Sequence, residues 1–350
     1  MQNTSPVRMA VAGLSHGHVT WLLRRWQRPD VDLVGIAEAD QALSARYATE
    51  FGLPRERLFN DLETMLDAVT PEAVCAFGSI YDHLSVVEAC APRRIHVMVE
   101  KPLAVNGEHA RRMAELARGS GIHLITNYET TWYASTYEAR RLALEAGVLG
   151  PLRKVVVHDG HWGPVEIGCN PEFLAWLTDP VLNGGGAVVD FGCYGANLIT
   201  WLMDGAEPET VTAVLQTLKP DVYPRVDDEA TILLTYPGMQ GVIQGSWNWP
   251  YHRKDMELYG SDGYAIAATE RRMRVGLRAE ESERVYELQP APEPVNDPFA
   301  YFAAVVRGAE VVTPGNLWSL ENALTVVTIL DAARLSAREG RTVSLTKRAG

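Results

Sequence analysis

The sequence lacks paired cysteines, long apolar runs and a basic leader. Its four cysteines stand widely spaced at positions 75, 90, 169 and 193, and without a Cys-x-x-Cys pair they form no zinc or redox motif, so we expect four reduced thiols. No run approaches the ~20 apolar residues that span a bilayer, and residues 1–6 lack the basic and apolar segments of a secretory signal. These absences predict a cytoplasmic protein without a membrane partner.

An excess of positive charge is also absent. The 32 basic side chains are outnumbered by 44 acidic ones, for a formal net charge of -12, which argues against electrostatic binding to nucleic acid. A small ligand in a local pocket is compatible with this balance. With 350 residues, 47% of them hydrophobic, the chain can bury a sizeable core, and two domains are expected.

Short β-rich runs alternate with helical patterns in the first third of the chain. The strand-like runs are residues 9–13, 33–37, 73–77 and 97–99, and one helical pattern follows a candidate capping residue, Asn106. This alternation predicts an α/β fold with a doubly wound parallel sheet that helices cover on both faces. We assign this nucleotide-binding domain to residues 1–125.

A different pattern follows, and we assign residues 126–350 to a second domain. After a predicted helix at 136–146, residues 231–236 and 241–247 flank a Pro-Gly turn and predict a hairpin, with a further strand at 256–259. These strands predict a large antiparallel sheet. Prolines between 289 and 298 predict an irregular connection, and helices are expected at 299–306 and 320–337.

The first predicted strand ends in a turn of six residues that a helical segment at 19–26 follows. This context offers backbone amides at a positive helix end, where the phosphates of a dinucleotide bind. The turn departs from the Gly-x-Gly-x-x-Gly fingerprint, because Ser15 and His18 occupy its second and third glycine positions. We predict that the whole turn contacts the cofactor: Gly13, Leu14, Ser15, His16, Gly17 and His18.

Glu38 ends the second strand-like run, at the distance from the turn that is typical of the residue binding the adenosine ribose. A carboxylate there accepts hydrogen bonds from both ribose hydroxyls and repels a 2'-phosphate, so NAD is favoured over NADP. The alternative interpretation is a solvent-facing glutamate.

The tripeptide Glu100-Lys101-Pro102 follows the strand-like run 97–99, and the carboxyl end of a parallel strand faces the ligand crevice. Pro102 restricts the backbone, so the Lys101 ammonium can be aimed at a substrate hydroxyl, where it would stabilise negative charge that develops on that oxygen. An exposed, ion-paired lysine is the alternative.

The cluster Gly184-Gly185-Gly186 precedes a helical pattern that places Asp190, Tyr194 and Asn197 at i, i+4 and i+7, on one polar face. An acid and a phenol beside a glycine-rich approach suggest a proton-transfer pair. Capping and packing are the alternative roles of these residues.

Together these motifs resemble the glucose-fructose oxidoreductase, inositol dehydrogenase and MocA family over nearly the whole chain. The order and spacing of the Gly13 turn, Glu38, the Tyr81-Asp82-His83 segment, Glu100-Lys101-Pro102 and the Gly184 to Tyr194 region carry the resemblance. It implies an N-terminal Rossmann domain and a C-terminal α/β domain with a large open sheet, which we expect to form a homodimer or homotetramer, while the last helix packs back on the first domain. It also implies NAD(P)-dependent hydride transfer at a carbinol carbon of a sugar or cyclitol.

The resemblance also implies roles for individual residues. His83, Glu100 and Lys101 would join the cofactor site, and Lys101, Asn127, Asp190 and Tyr194 would contact the substrate. Lys101, Asp190 and Tyr194 would be catalytic, with Tyr194 as the acid/base in a position that often holds His. A free tyrosine has a pKa near ~10 and needs a nearby cation to act as a base, which Lys101 could provide.

Aromatic and polar residues of the second domain suit a polyol pocket, because aromatic faces stack on sugar C–H surfaces while polar edges bind hydroxyls. Strand alternation separates His158 and Trp162 from Asp159 and His161, so only one of these pairs is expected to face the substrate, and Trp176 precedes the glycine cluster. We retain His158, His161, Trp162 and Trp176 as candidate substrate contacts.

No metal site is expected. His16 and His18 lack a third convergent ligand, and the strand directs His158 and His161 to opposite faces, away from a common site with Cys169. Three functions remain open: a sugar or cyclitol dehydrogenase, which we favour; an enzyme that cleaves glycosides through transient NAD-dependent oxidation and elimination; and a non-catalytic NAD or sugar sensor. Retention of Lys101, Asp190 and Tyr194 argues against the sensor.

Overall fold

The computed structural model describes residues 5–346, and its first sheet contains six strands whose neighbours all run parallel. The spatial order is β3-β2-β1-β4-β5-β6, with β1 at Val7–Ala12, β2 at Val31–Ala37, β3 at Leu58–Phe59, β4 at Ala73–Ala76, β5 at His96–Glu100 and β6 at Leu124–Asn127. Reversal of the strand order beside β1 creates the crevice in which such sheets bind nucleotides. The predicted doubly wound parallel sheet is confirmed.

Five helices connect these strands, and their polar caps explain where several of them begin. They are α1 at Val19–Leu23, α2 at Gln41–Phe51, α3 at Leu62–Val69, α4 at His83–Cys90 and α5 at Gly107–Ser120. Side chains of Asp40, Asp61 and Asn106 accept hydrogen bonds from free amides of the first turns of α2, α3 and α5. Helix α1 is shorter than the predicted segment 19–26.

A short 3₁₀ helix at Glu129–Trp132 and helix α6 at Ala134–Arg140 lead into the second sheet. The predicted helix at 136–146 begins two residues earlier, and its second half, Arg141–Glu145, is a π-helical turn.

The second sheet has nine strands and is mainly antiparallel. Its order is β14-β13-β12-β11-β7-β10-β9-β8-β15, with β7 at Leu152–Gly160, β8 at Thr210–Gln216, β9 at Glu229–Tyr236, β10 at Met239–Ser246, β11 at Arg253–Gly260, β12 at Gly263–Ala267, β13 at Arg272–Leu277, β14 at Arg284–Glu287 and β15 at Val343–Ser344. The predicted hairpin is β9 and β10, and among the described strands of this sheet only β7 and β10 pair in parallel. This sheet confirms the second half of the predicted fold class.

Five further helices complete the described chain: α7 at Pro171–Leu177, α8 at Ala187–Asp190, α9 at Gly192–Leu202, α10 at Pro298–Val306 and α11 at Leu320–Glu339. Helix α11 packs on α9 and also contacts α5 of the first sheet's layer. There Asp331 accepts a hydrogen bond from the Gly107 amide at 2.8 Å, and Arg118 pairs with Glu321 at 3.2 Å. Across residues 5–346, none of the helices has the length and apolar composition needed to cross a bilayer.

Candidate active site

A cleft of about 470 Å³ opens where the carboxyl edge of the parallel sheet meets the second sheet. Volumes of this size suit a small ligand. The polar side chains that line the cleft come from both halves of the chain: His16, His18, Thr20, Arg24, Lys101, Glu129, His161, Asn170, Asp190, Tyr194, His252 and Lys254.

The turn after β1 brings Glu38 to the predicted cofactor position. Gly13 has a φ of +83°, and a Cβ there would lie 2.7 Å from the Gly78 amide nitrogen, so only glycine permits this close approach. The Leu14 amide donates to Glu38 Oε2 at 2.8 Å, and the Asp40 amide donates to Oε1 at 2.8 Å. The carboxylate is therefore held beside the glycine turn, as the ribose of a dinucleotide requires, and the chain's residues fit that cofactor.

Glu100 is a buried carboxylate that lies between the glycine turn and the cleft. It is 1% exposed and receives hydrogen bonds from His18 Nδ1 at 3.0 Å and Asn127 Nδ2 at 2.8 Å. Burial acts to raise the pKa of Glu100, but His18, His16 and these hydrogen bonds outweigh it and lower the pKa to about 2. Asn127 also accepts from Trp132 Nε1 at 2.9 Å. It therefore supports Glu100 from below and does not line the cleft.

His16 and His18 lie beside Glu100, and their hydrogen bonds define the His16 tautomer. The His18 amide donates to His16 Nδ1 at 3.2 Å, so the ring proton of neutral His16 belongs on Nε2, which lies 3.8 Å from Glu100 Oε2. Burial lowers the pKa of His16 and keeps it neutral. A metal ligand needs the lone pair of its nitrogen, so this tautomer does not suit His16 Nε2 for a cation, although His16, His18 and Glu100 converge.

Lys101 and Asp190 form a buried ion pair at the centre of the cleft. Lys101 Nζ donates to Asp190 Oδ1 at 2.5 Å and to its carbonyl oxygen at 2.9 Å, while Trp247 Nε1 donates to Oδ2 at 3.0 Å. Burial acts to lower the pKa of Lys101 and to raise that of Asp190, but their mutual attraction prevails in both. The ammonium is therefore charged and directed, as its position after β5 predicts.

Two lysine ammonium groups lie close to the Tyr194 ring. The Nζ atoms of Lys101 and Lys254 stand 5.2 and 4.3 Å from its centroid, within the range of cation–π attraction. Burial raises the pKa of Tyr194 well above its ordinary value, and the carboxylates of Glu129 and Asp159 raise it further. Tyr194 is thus a neutral phenol in the free protein despite its two cationic neighbours.

The predicted single helix for Asp190, Tyr194 and Asn197 is wrong. Asp190 ends α8, Phe191 interrupts the helix, and α9 carries the other two residues. Asn197 Nδ2 donates to the Leu317 carbonyl oxygen at 2.7 Å, so it joins α9 to the segment before α11 and lies outside the site.

The glycine cluster has a packing role that the sequence did not reveal. A Cβ on Gly186 would lie 1.8 Å from the carbonyl oxygen of Asp227, whose carboxylate accepts from the amides of Gly186 at 2.9 Å and Val188 at 2.7 Å. The missing side chain lets the segment before β9 pack against the start of α8, which positions Asp190.

Strand β7 turns Asp159 and His161 toward the cleft and His158 away from it. His158 lies on the opposite face of the sheet, with Nδ1 at 3.2 Å from Asp255 Oδ2. Trp162 is 44% exposed outside the cleft, where its carbonyl accepts from Lys219. The expectation that His158 and Trp162 contact substrate is therefore incompatible with their positions. Alternation along β7 places His158 on the far side of the sheet, and Trp162, which follows the end of β7 at Gly160, does not line the cleft.

Two other candidates are buried beneath the surface of the cleft. Trp176 packs under His16, with ring centroids 5.6 Å apart, and so supports the turn from below. His83 is fully buried at the start of α4, where its Nδ1 lies 3.1 Å from the Leu103 carbonyl oxygen. Burial lowers its pKa to about 4, so it remains neutral.

Lys254 and Glu129 are cleft residues that the sequence reasoning missed. Lys254, on β11, donates to Glu129 Oε2 at 2.5 Å and lies 3.6 Å from Asp159 Oδ2. Glu129 follows β6 as Glu100 ends β5, so the same strand-end rule could have identified it. Lys254 had no such signal, because a lone lysine near a predicted strand is typical of a solvated face.

Comparisons with known proteins agree with this architecture. Residues 7–128 match the profile described as oxidoreductase family, NAD-binding Rossmann fold, and residues 137–266 match the GFO/IDH/MocA C-terminal domain. Trans-1,2-dihydrobenzene-1,2-diol dehydrogenase of Bos taurus is 29% identical over 229 residues, 65% of this chain, and the enzyme of Sus scrofa is 28% identical over 236 residues, 67% of this chain. The chain spans 63% and 65% of the lengths of these two relatives.

Solved structures share the fold over nearly the whole chain. An inositol dehydrogenase homologue from Azotobacter vinelandii, complexed with NAD+, has a TM-score of 0.83 at 21% identity and covers 98% of this chain and 100% of its own. The aldose-aldose oxidoreductase from Caulobacter crescentus, complexed with glycerol, has a TM-score of 0.81 at 23% identity, over 97% of this chain and 100% of its own.

Proposed function

Because the chain belongs to the GFO/IDH/MocA family of NAD-binding oxidoreductases, we propose that it transfers a hydride between NAD and a carbinol carbon of a sugar, a sugar derivative or a cyclitol. The observation that carries this proposal is the Lys101 ammonium, held by Asp190 at 2.5 Å and directed over the Tyr194 ring in a cleft that adjoins the glycine turn. Such a cation stabilises negative charge on a substrate oxygen where a carbinol becomes a carbonyl.

NAD is the proposed cofactor in preference to NADP. Glu38 accepts the Leu14 amide of the turn with one oxygen and the Asp40 amide with the other, and a 2'-phosphate would meet this carboxylate, with the Asp40 carboxylate two residues further along. The six turn residues, Glu38 and Glu100 would hold the cofactor, with His83 as a buried support. Its nicotinamide supplies the hydride acceptor or donor when bound.

Lys101 and Tyr194 would bind the substrate oxygen from two sides. Lys101 offers an ammonium proton, and Asp190 prevents the long side chain from leaving the cleft. The neutral Tyr194 phenol would donate to the same oxygen and, in the direction of reduction, supply its proton. Two fixed donors also orient the carbinol carbon, which contributes to rate by reducing the entropy lost at the transition state.

The remaining cleft residues suit a ring with several hydroxyls. His161, His252 and Glu129 offer donors and acceptors around the central pair. The chain is similar to dihydrodiol dehydrogenases, to an inositol dehydrogenase homologue and to an aldose-aldose oxidoreductase. Each of these names refers to a small compound that carries hydroxyls on adjacent carbons. A neutral cyclic vicinal diol is therefore the proposed substrate class.

Turnover of a defined panel tests this function. The purified protein is incubated with NAD or NADP and with sugars, inositols, trans-dihydrodiols and aryl glycosides, while NADH absorbance and released aglycone are followed. Net NADH with a sugar or cyclitol supports the proposal. Aglycone release without net NADH would assign glycoside cleavage, and saturable binding without either product would assign a sensor.

Matched variants test the residue roles. Lys101→Ala and Tyr194→Phe should lose turnover while they retain NAD binding, because neither removes a residue of the glycine turn. Arg111→Ala removes an exposed cation on α5, away from the second sheet, serves as the control and should keep full activity. Full activity in both Lys101→Ala and Tyr194→Phe would refute the assignment.

Self-association through the second sheet is also proposed. Helices α8, α9 and α11 pack against one face of this sheet, whereas Val214 on β8 is 60% exposed and Tyr251, just before β11, is 58% exposed. Exposed apolar side chains of a broad sheet favour burial against a second copy. Light scattering after size-exclusion chromatography should give the mass of a dimer or tetramer. In Val214→Arg, the measured mass should fall toward that of the monomer.

A further inference from the structure

Asp159 is a buried carboxylate that the proposed mechanism leaves unused. Its side chain is 1% exposed, and neither carboxylate oxygen has a hydrogen-bond partner among the described residues. Burial of an ionised carboxylate without hydrogen bonds is costly, so such a group takes up a proton readily or acts with a nearby cation. Lys254 Nζ, 3.6 Å from Oδ2, is that cation.

Lys254 and Tyr194 form the wall between Asp159 and the cleft. Both side chains line the cleft, and both line a small internal cavity that Asp159 also lines. Lys254 Nζ lies 4.3 Å from the Tyr194 ring centroid. A proton released by a bound substrate therefore needs to pass only these two groups to reach Asp159.

The other carboxylates of the cleft have their oxygens occupied. Glu100 accepts from His18 and Asn127, Glu129 accepts from Lys254 and Tyr133, and Asp190 accepts from Lys101 and Trp247. These partners outweigh burial and lower the pKa of all three groups, to about 2 for Glu100 and Glu129. None of the three is suited to hold a proton at neutral pH.

At Asp159, in contrast, burial outweighs the groups that lower the pKa. Burial raises its pKa well above the ordinary value; Lys254 and Lys101 oppose this shift, whereas Glu129 and Asp190 add to it. The charged and titratable groups that face Asp159 come from β11, the 3₁₀ helix, the segments after β5 and β6, and the ends of α8 and α9: Lys254, Glu129, Lys101, Tyr133, Asp190, Cys193 and Tyr194.

We propose that Asp159 is the internal proton acceptor of the reaction, reached from the cleft through Lys254 and Tyr194. This inference rests on the proposed function, whose nicotinamide is the oxidant. In the direction of oxidation, the carbinol C–H bond breaks and its hydride reduces the cofactor, while the O–H bond breaks and its electron pair forms the carbonyl. Lys254 passes one proton to Asp159 Oδ2, and the substrate proton replaces it on Lys254 by way of the Tyr194 hydroxyl.

Infrared titration of the cofactor-free protein tests the protonation of Asp159 without any substrate. At pH 6, carboxyls with ordinary pKa values near ~4 are ionised, so we expect a protonated Asp159 to give the carbonyl stretch of a carboxylic acid in the wild type. This band should disappear as the pH is raised into the range where the enzyme turns over, because Asp159 must be ionised to accept the substrate proton. The Asp159 component of this band should be lost in Asp159→Asn and kept in Asp255→Asn, whereas a component from Asp227, whose pKa burial also raises, stays in both variants. Asp255 is the matched control, because it lies on the opposite face of the sheet, paired with His158 and Arg253.

Kinetics then test the proton path in the cofactor-loaded protein. Loss of a positioned proton acceptor typically costs about 100-fold or more in rate, so we expect kcat of Asp159→Asn to fall by about this factor while KM changes little. The acidic limb of the wild-type kcat/KM profile should also disappear in Asp159→Asn. In the wild type, a pH indicator should record proton release to the solvent later than NADH formation. In Asp159→Asn, the two signals should appear together.

The outcomes separate this inference from the proposed function. Wild-type turnover with an unchanged infrared band and pH profile in Asp159→Asn would overturn the role of Asp159 and leave the dehydrogenase intact. Absence of any wild-type turnover would overturn both. If Asp159→Asn does not fold, Lys254→Gln replaces it, and an unchanged acidic limb and unchanged timing of proton release in that variant would equally refute the relay.

Discussion

Substitution of Lys101 by methionine should destabilise the protein strongly, because it leaves Asp190 buried without its counter-ion. Both side chains are 7% exposed, and after the substitution the carboxylate keeps only the Trp247 Nε1 donor at 3.0 Å. Methionine fills much of the volume of the lysine stem, so the lost charge accounts for most of the change.

The expected loss in the free energy of unfolding is about 3–5 kcal/mol at pH 8, the range for breaking one partner out of a buried pair. Removing both charges in Lys101→Met/Asp190→Asn should recover much of this loss, since no unpaired charge remains. A coupling of about 2 kcal/mol or more between the two sites is expected from a double-mutant cycle.

The pH dependence has a defined sign. In the wild type, Lys101 holds the pKa of Asp190 below its unfolded value despite burial, so the stability it contributes is present above the unfolded pKa and is lost as pH falls through the folded one. In Lys101→Met, only the Trp247 hydrogen bond and His161 still oppose burial, so we expect this pKa to rise. The variant therefore gains stability relative to the wild type as pH falls, and the difference between them narrows from pH 8 toward pH 4.

Urea denaturation followed by the fluorescence of the nine tryptophans provides the assay. Arg111→Met, a substitution on the exposed surface of α5, is the control and should change stability by less than about 0.5 kcal/mol. A loss below about 1 kcal/mol in Lys101→Met, or a double variant no more stable than the single one, would refute the buried-pair argument.

Three further predictions concern the cofactor turn, the glycine cluster and a buried histidine. Glu38→Ala should weaken NAD binding about 10- to 100-fold, the value of charge-assisted hydrogen bonds to the ribose; an unchanged Kd by fluorescence quenching would contradict this. Gly186→Ala should prevent normal folding, because its Cβ would lie 1.8 Å from Asp227 O, whereas Gly17→Ala, with no atom within 4 Å, should melt within a few degrees of the wild type by circular dichroism. Burial lowers the pKa of His83 to about 4, so the stability that depends on neutral His83 is present above pH ~6.5, and about 2 kcal/mol of this stability is lost by pH 5. His83→Gln should therefore reduce the difference between the urea midpoints at pH 7.5 and pH 5. An undiminished difference would show that other groups cause the pH dependence.

The fold was predictable because its determinants are local. Apolar runs bounded by turn residues specified β1, β2, β4 and β5, and the cap of α5 depends on one side chain, Asn106, and one amide, that of His109. The hairpin of β9 and β10 was equally predictable, because its strands flank a Pro-Gly turn. The two-residue strand β3 and the π-helical turn at Arg141–Glu145 carried no comparable pattern.

The candidate site was predictable only in part. Lys101, Asp190 and Tyr194 do meet in one cleft, but the sequence interpretation placed Asp190 and Tyr194 on one helix, which Phe191 interrupts. It also retained His158 as a substrate contact, whereas His161 lines the cleft and Asp159 lies on the same side of the sheet, behind Lys254 and Tyr194. The choice between the two faces of β7 depends on which side α8 and α9 cover, and that is not a local property of the strand.

By itself, the sequence determined the class of the fold, the glycine turn with Glu38 and the strand-end position of Lys101, because periodicity, turn geometry and strand direction act within a few residues. The tertiary structure alone decided that Lys254 of β11 stands 3.6 Å from Asp159 of β7 and 4.3 Å from the ring of Tyr194. Those distances arise from the register of two strands about 95 residues apart and from the helix packed over them. Burial and charge at that junction then determine which carboxylate is ionised and which can take up a proton.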